Sequence, residues 1–420
     1  MIALTEDKLK RESFLNDLYR VFENWGNQDG HGLTMVINGK YGSGKSTLLG
    51  FIEEKNALEN KFDIIKYDAW ENNFFENPMI PILYAISKLE KTGSKIKETA
   101  KNIVRNLPKA ILSTLAGAHS VDLQPLINNE NIFDEYDNYK NAIAKFKEIL
   151  TNYCSKNKTI LLIDELDRCL PEYQIKVLEA IYHLLDVPNL IVVIALDKEQ
   201  LETSIQAKFG KTTNTHGYLA KFIQYEVDLP EGDTYNYIIS TMKFKAESYH
   251  EYEVKQKIAD IFKAIKLPLR ESLLVVNELN LICGTTQYLY FYPIMVAVLL
   301  TLKRTNNIIF QKFFSEKRTY VRGNETIKMD DTPFYGFIET IKGNNFEKIL
   351  DLWRSDDGYG YSLLLHFIDL FYPIGKITTD SLSEYFKTTP DEIVARIKDR
   401  ERWNYPDTVN TLIDKLNMIL

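Results

Sequence analysis

The residues with the most chemistry to offer stand between positions 39 and 47. Gly39-Lys40-Tyr41-Gly42-Ser43-Gly44-Lys45-Ser46 fills the pattern G-x-x-x-x-G-K-[ST], and Thr47 follows it. Glycines allow successive backbone N–H groups to turn into one concavity. An ammonium and a hydroxyl at its end suit a polyphosphate carrying a divalent cation. The expected nucleotide-binding residues are therefore Gly39, Tyr41, Gly42, Ser43, Gly44, Lys45, Ser46 and Thr47. Lys45 would reach the β- and γ-phosphates, and Ser46 would hold Mg²⁺.

A phosphate loop of this kind needs a metal carboxylate nearby, and Ile160-Leu161-Leu162-Ile163-Asp164-Glu165 supplies acids at the end of an apolar run. Asp164 would bind Mg²⁺ through a water, opposite Ser46. Glu165 would orient and polarise the attacking water. Arg168 has two readings, as a stabiliser of γ-phosphate charge in its own subunit or a neighbour's, or as the partner of Asp167, Glu165 or another local acid. Asp197 ends a second apolar run and would sense the γ-phosphate or the lytic water, cap the helix that follows, or do both. Arg270 opens a later helix, where it opposes the helix dipole. Such a placement suits a distant anion, nucleotide phosphate among them, or a pair with Glu271 or Glu278. Lys45, Glu165, Arg168, Asp197 and Arg270 thus form the expected catalytic set.

These residues need a scaffold that brings them to one edge. Leu33-Thr34-Met35-Val36-Ile37 reads as a buried strand before the glycine loop, and Thr47 to Ile52 as the first turns of a helix after it. Further strands are expected at 61–68, 158–165, 191–196 and 222–229, and helices at 1–30, through much of 78–150 and from Gln174 to Leu185. Strands alternating with helices predict a parallel sheet covered on both faces, an α/β fold. Strand C-termini in such a sheet converge on the ligand edge. After about residue 235 the pattern turns mainly helical. The expected organisation is a nucleotide-binding core over 1–235 with a helical insertion at about 75–150, a lid-like helical domain over 236–305, and a mainly helical C-terminal domain over 306–420.

The chain has 420 residues and a net charge of −7, so its overall balance favours neither nucleic acid nor anionic membrane. The basic doublets Lys303-Arg304 and Lys317-Arg318 read as solvated helix surface more readily than as a phosphate track. Cys154, Cys169 and Cys283 are far apart and form no C-x-x-C pair, which suits a reducing cytosol. The N-terminus is charged too early for a secretory signal. Leu279 to Leu302 carries no charge, but Gly284-Thr285-Thr286-Gln287 and Pro293 interrupt it. The uninterrupted part is shorter than the ~20 apolar residues a membrane span requires, so two core helices joined by a turn are expected. No membrane span is expected, and the protein is placed in the cytoplasm.

Several pieces in order resemble the KAP family of P-loop NTPases. They are the phosphate loop, Tyr67-Asp68-Ala69-Trp70-Glu71, Ile163-Asp164-Glu165-Leu166-Asp167-Arg168-Cys169, Ile194-Ala195-Leu196-Asp197, Tyr218 to Gln224 ending in Leu229-Pro230, and Leu269-Arg270-Glu271. Asp68 stands where the family usually has Asn, and Glu165 where it has a second Asp. The likeness covers roughly residues 5–300. It implies an additional-strand ATPase core with a catalytic carboxylate after the metal aspartate, which supports Asp164 for metal and Glu165 for water. Many members carry transmembrane helices between the two nucleotide motifs. The apolar stretch at 110–118 is too short to be one. Bacterial members are linked to mobile elements and to exclusion of phage, an analogy that no residue of this chain establishes.

The function expected is a Mg²⁺-dependent, ATP-hydrolysing switch whose nucleotide state governs self-assembly or recruitment of a protein partner. A non-hydrolysing, nucleotide-bound scaffold is the alternative. ATP is favoured over GTP because no Asn-Lys-x-Asp-like guanine reader stands out.

Overall fold

The computed structural model describes residues 7–25, 31–89, 93–107, 132–244, 251–283 and 291–305, together with Lys348, Ile349 and Leu352. The readings made at 1–6, 26–30, 108–131, 284–290 and beyond 305, among them Lys317-Arg318 and the turn at Gly284–Gln287, lie outside these residues. The chain divides into two compact units, Met1–Gly232 and Asp233–Leu420.

The first unit is built on a parallel sheet of β1 (Leu33–Asn38), β2 (Asp63–Asp68), β3 (Thr159–Asp164), β4 (Leu190–Leu196) and β5 (Tyr225–Asp228), in the order β2-β3-β4-β1-β5. The strand inserted between β1 and β3 is β4, which is what an additional-strand core requires. Register lines up the functional ends. Asn38 pairs with Leu196, Ile163 with Ile194, and Asp68 with Asp164. The strand expected at 222–229 is shorter than its apolar pattern suggested. Residues Thr215–Leu219 form a helical turn ahead of it, and β5 is an edge strand with mostly exposed residues.

The sheet is covered on both faces, which is why β1, β3 and β4 read as nearly continuous apolar runs. Leu33, Met35, Ile37, Ile160, Leu162, Ile191, Val193 and Ala195 face a core completed by α1 (Glu12–Asn24) and α2 (Lys45–Glu59). Their neighbours Val36, Leu161, Ile163, Val192 and Ile194 face the other core. That side is packed by α3 (Met79–Ile86), α4 (Gly93–Arg105), α5 (Ile132–Cys154) and α6 (Pro171–Leu184). The helix expected from Gln174 begins at Pro171 instead, because a proline at the first helical position gives up no hydrogen bond. On the same side lie α7 (Lys198–Phe209) and the short α8 (Thr215–Leu219).

The described part of the second unit is helical: α9 (Thr234–Thr241), α10 (Glu251–Ala264), α11 (Leu269–Cys283) and α12 (Phe291–Thr305). Val254, Ile258, Phe262, Val275, Val276, Leu279 and Ile294 are fully or almost fully buried. The charge-free segment from Leu279 to Leu302 therefore contributes to two core helices, and no helix among the described residues is long and apolar enough to cross a membrane.

Candidate functional site

The glycine loop begins where β1 ends. Gly39 donates its N–H to the Leu196 carbonyl at 3.1 Å, so the loop leaves the sheet beside the end of β4. Gly42 and Gly44 both have positive φ, 77° and 91°, a region that disfavours residues with a Cβ. Gly44 is the N-cap of α2, and no side chain caps that helix end. The first turn of α2 contains no acid either. Its orphan N–H groups and the positive end of its dipole are left for an external anion. Ser43 Oγ is buried without a hydrogen-bond partner in the same loop. A phosphate would satisfy both the hydroxyl and the backbone donors, so the loop fits the group its sequence implies.

Lys45, the first residue of α2, is buried, and its side chain turns back over the loop. Its ammonium donates to the Gly39 carbonyl at 2.7 Å and the Lys40 carbonyl at 3.3 Å, and lies 3.3 Å from Asp167 Oδ2. Ser46 stands close enough to Asp164, the last residue of β3, to lower its pKa. One hydroxyl and one carboxylate, hard oxygen donors, are what Mg²⁺ takes from protein when phosphates and water complete its shell. Burial raises the Asp164 pKa, the Ser46 hydroxyl and the Glu165 N–H, which donates to it at 2.9 Å, lower it, and nearby Asp68 and Asp167 raise it further. A divalent cation would relieve that crowding of negative charge.

Glu165 has φ 59° and ψ 24°, a left-handed conformation uncommon for a residue with a side chain. Residues held this way cluster at functional sites. Burial raises its pKa most, partly offset by Arg168, while Asp164, Asp167 and Asp68 raise it. Arg168 bonds Glu165 directly and lies over the Tyr41 ring at 5.1 Å. Of its two readings, the structure displays the local ion pair.

Asp197 lies buried at the end of β4 and caps α7, its carboxylate accepting the Glu199 N–H at 3.2 Å. Its Oδ1 is 4.0 Å from the Lys40 ammonium, which also bonds Glu199. Its own N–H donates to Asp167 at 2.8 Å. Cap chemistry is thus present, and Asp197 also joins the loop's neighbourhood. Arg270 stands in the first turn of α11, in the second unit, where Glu271 and Glu278 both bond Arg304.

Two participants were missed by the sequence reading. Asp167 was weighed only as a partner for Arg168, yet it binds Lys45 and the Asp197 backbone. Its spacing, one short turn beyond Asp164, was the available signal. Arg11, which the sequence motifs do not single out, is only 4% exposed. It donates to the Glu231 carbonyl at 3.2 Å, and a Cβ added to Gly44 would lie 2.9 Å from its Nη1. Burial lowers its pKa, against the opposing effect of Asp7. Nothing in the sequence pattern marks that contact.

The segment after β2 is fixed by a hydroxyl chain. Tyr67 and Tyr173 are 2.7 Å apart, and Tyr173 donates to the Asn72 carbonyl at 3.1 Å. Burial, first, raises both phenol pKa values, that of Tyr173 to about 12. The Cys169 thiol is likewise pushed up by burial, to about 12, which suits a packed residue rather than a nucleophile.

An uncapped glycine loop, a lysine folded over it and an acid pair on the strand beyond β4 define a P-loop NTPase of the additional-strand type. The model of the KAP family P-loop domain matches residues 11–330, and the chain belongs to that family. A comparison with curated proteins returned no match. Among solved structures, the ORC2 protein of Aeropyrum pernix, determined as ADPNP–ADP complexes, is 13% identical, with 66% of this chain and 63% of that chain covered and a TM-score of 0.35. The chain therefore spans less than two thirds of that protein. Cdc6p from Pyrobaculum aerophilum is also 13% identical, with 97% and 95% covered and a TM-score of 0.38. Likeness at this level carries no argument about function.

Proposed function

We propose that this protein is a Mg²⁺-dependent ATPase switch. The observation that carries the reading is the meeting of Lys45, the Ser46–Asp164 pair and Glu165 where β1 and β3 end, with β4 between them. In this reading Lys45 holds the β- and γ-phosphates. Ser46 and Asp164 hold Mg²⁺, Asp164 through a water, and the ion screens the oxygens of the phosphate under attack. Glu165 accepts the proton of the attacking water. Its raised pKa keeps it basic enough for that task near neutral pH.

The pair between Arg168 and Glu165 has a consequence for rate. While it persists, the carboxylate is turned to an arginine rather than to water, so basal turnover is slow. Loss of the γ-phosphate contacts changes the site, and the second unit responds by releasing or recruiting a protein partner, a second copy of the chain among the candidates. Arg270 belongs to that responding unit. ATP is preferred because the sequence offers no guanine reader. A cytoplasmic setting is supported by the scattered cysteines, and a role in phage exclusion is supported by family analogy alone. The same ion pair is the one feature that favours a non-hydrolysing scaffold.

A Glu165→Gln variant separates the two readings. The switch requires that it bind Mg²⁺–ATP like the wild type while phosphate release falls at least about a hundredfold, the usual scale for a lost general base. Equal phosphate release by both proteins would remove Glu165 from its role. A wild type that binds ATP without turnover at any protein concentration would establish the scaffold.

A further inference from the structure

The hydrogen-bonding of Asp167 is unusual for a residue outside the glycine loop. One oxygen, Oδ2, serves two groups at once: the Lys45 ammonium at 3.3 Å and the Asp197 N–H at 2.8 Å. The side chains of Lys45 and Asp167 are 9% and 7% exposed, so water screens their attraction poorly. The turn that bears Asp167 (Leu166–Arg168) is held from behind by Gln174, whose amide donates to the Cys169 carbonyl at 2.8 Å and the Asp167 carbonyl at 3.4 Å. Leu166 is fully buried beneath it. Asp167 is therefore anchored, whereas Lys45 is a long side chain able to swing.

Lys45 cannot serve a phosphate without sharing or leaving this carboxylate. We propose that Asp167 is a positioning residue that sets the site's preference between tri- and diphosphate, by competing with the γ-phosphate for Lys45 and passing the outcome to Asp197 at the start of α7. This rests on the nucleotide reading given above. A γ-phosphate drawn to Lys45 comes to lie beside the fixed negative charge of Asp167, and a nucleotide ending at its β-phosphate meets that charge less closely. Asp167 thus weakens triphosphate binding more than diphosphate binding. Once Lys45 is withdrawn, the Asp197 N–H is the remaining partner of Oδ2. Asp197 also caps α7 through its own carboxylate, so exchange at Lys45 is felt at the first turn of that helix.

The test uses the full chain and titration calorimetry with Mg²⁺ and two probes, a non-hydrolysable ATP analogue and ADP. Asp167→Asn keeps an oxygen for the Asp197 N–H and removes the charge. The expected result is triphosphate binding tightened on the order of tenfold, the scale of one nearby like charge in a partly wet site, with ADP tightened less than about threefold. A residue that merely supported the fold would weaken both nucleotides and lower the melting temperature together. Asp167→Ser, smaller and uncharged, is held to the same criteria if the asparagine variant does not fold. If the wild type binds the analogue and the variant binds it no tighter, or tightens both nucleotides equally, the role given to Asp167 is overturned. If the wild type binds neither nucleotide, the nucleotide reading itself fails, and this inference with it.

Discussion

Gly44→Ala is the substitution whose cost the geometry defines most closely. At φ 91° an alanine meets left-handed backbone strain, about 1–2 kcal/mol for an L-residue. Its Cβ would also lie 2.9 Å from Arg11 Nη1, closer than van der Waals contact permits. Arg11 is 4% exposed and has little room to retreat, since a Cβ placed on Gly232 would lie 3.3 Å from its Nε. Moving the guanidinium breaks its bond to the Glu231 carbonyl. A charged hydrogen bond lost in a buried place adds about 1.5–3 kcal/mol. The total is about 2–4 kcal/mol, with some relaxation allowed. Urea denaturation followed to a midpoint at unchanged slope reads this directly. The melting temperature of a unit this size should fall by about 5–15 °C. Strain and clash separate in a double-mutant cycle. Arg11→Ala removes the clash but leaves the strain, so the double variant should be less destabilised than the sum of the singles by about 1–2 kcal/mol. Gly44→Ala within about 0.5 kcal/mol of wild type would rule out both costs, and strict additivity with Arg11→Ala would rule out the clash.

Lys45→Ala should do more than abolish phosphate binding. It strands the Asp167 carboxylate with only the Asp197 N–H, and breaking a buried pair costs about 3–5 kcal/mol, so its denaturation midpoint should fall even without nucleotide. Asp164→Asn should raise the melting temperature of nucleotide- and metal-free protein at pH 7. Its folded-state pKa is raised, so the ionised carboxylate is a liability above that pKa, and the advantage of Asn should shrink as pH falls through the raised value toward the ordinary carboxylate range. A midpoint difference that grows on acidification would contradict this. Tyr173→Phe removes the hydroxyl joining Tyr67 to the Asn72 carbonyl and should cost about 1–2 kcal/mol in chemical denaturation, with nucleotide binding little changed.

Sequence pattern and structure agree where local chemistry determines the outcome. The glycine loop, the buried runs of β1, β3 and β4 and the cap at Asp197 are all dictated by residues within a few positions of one another. Even the additional-strand core was legible, though only through the family's motifs, because strand order depends on packing between distant segments. The contacts of Asp167 and Arg11 were not legible for the same reason. Lys45 lies 122 positions before Asp167, and Arg11 meets Glu231 across 220. Arg168 has two sequence readings because an arginine three residues after a glutamate can point either way, and the turn over Leu166–Arg168 places the two side chains together. β5 is shorter than the expected 222–229 because Phe222 and Ile223, apolar like strand residues, lie in the turn before it.

The proposed switch requires a nucleoside triphosphate and its cation to be held where β1 and β3 end on either side of β4. Titration calorimetry of the wild-type chain with Mg²⁺–ATP, repeated with GTP and without the metal, decides this. Saturable heat is expected at one nucleotide per chain, stronger for ATP than for GTP and weakened when Mg²⁺ is withheld. Folded protein that takes up neither triphosphate under any of these conditions would contradict it.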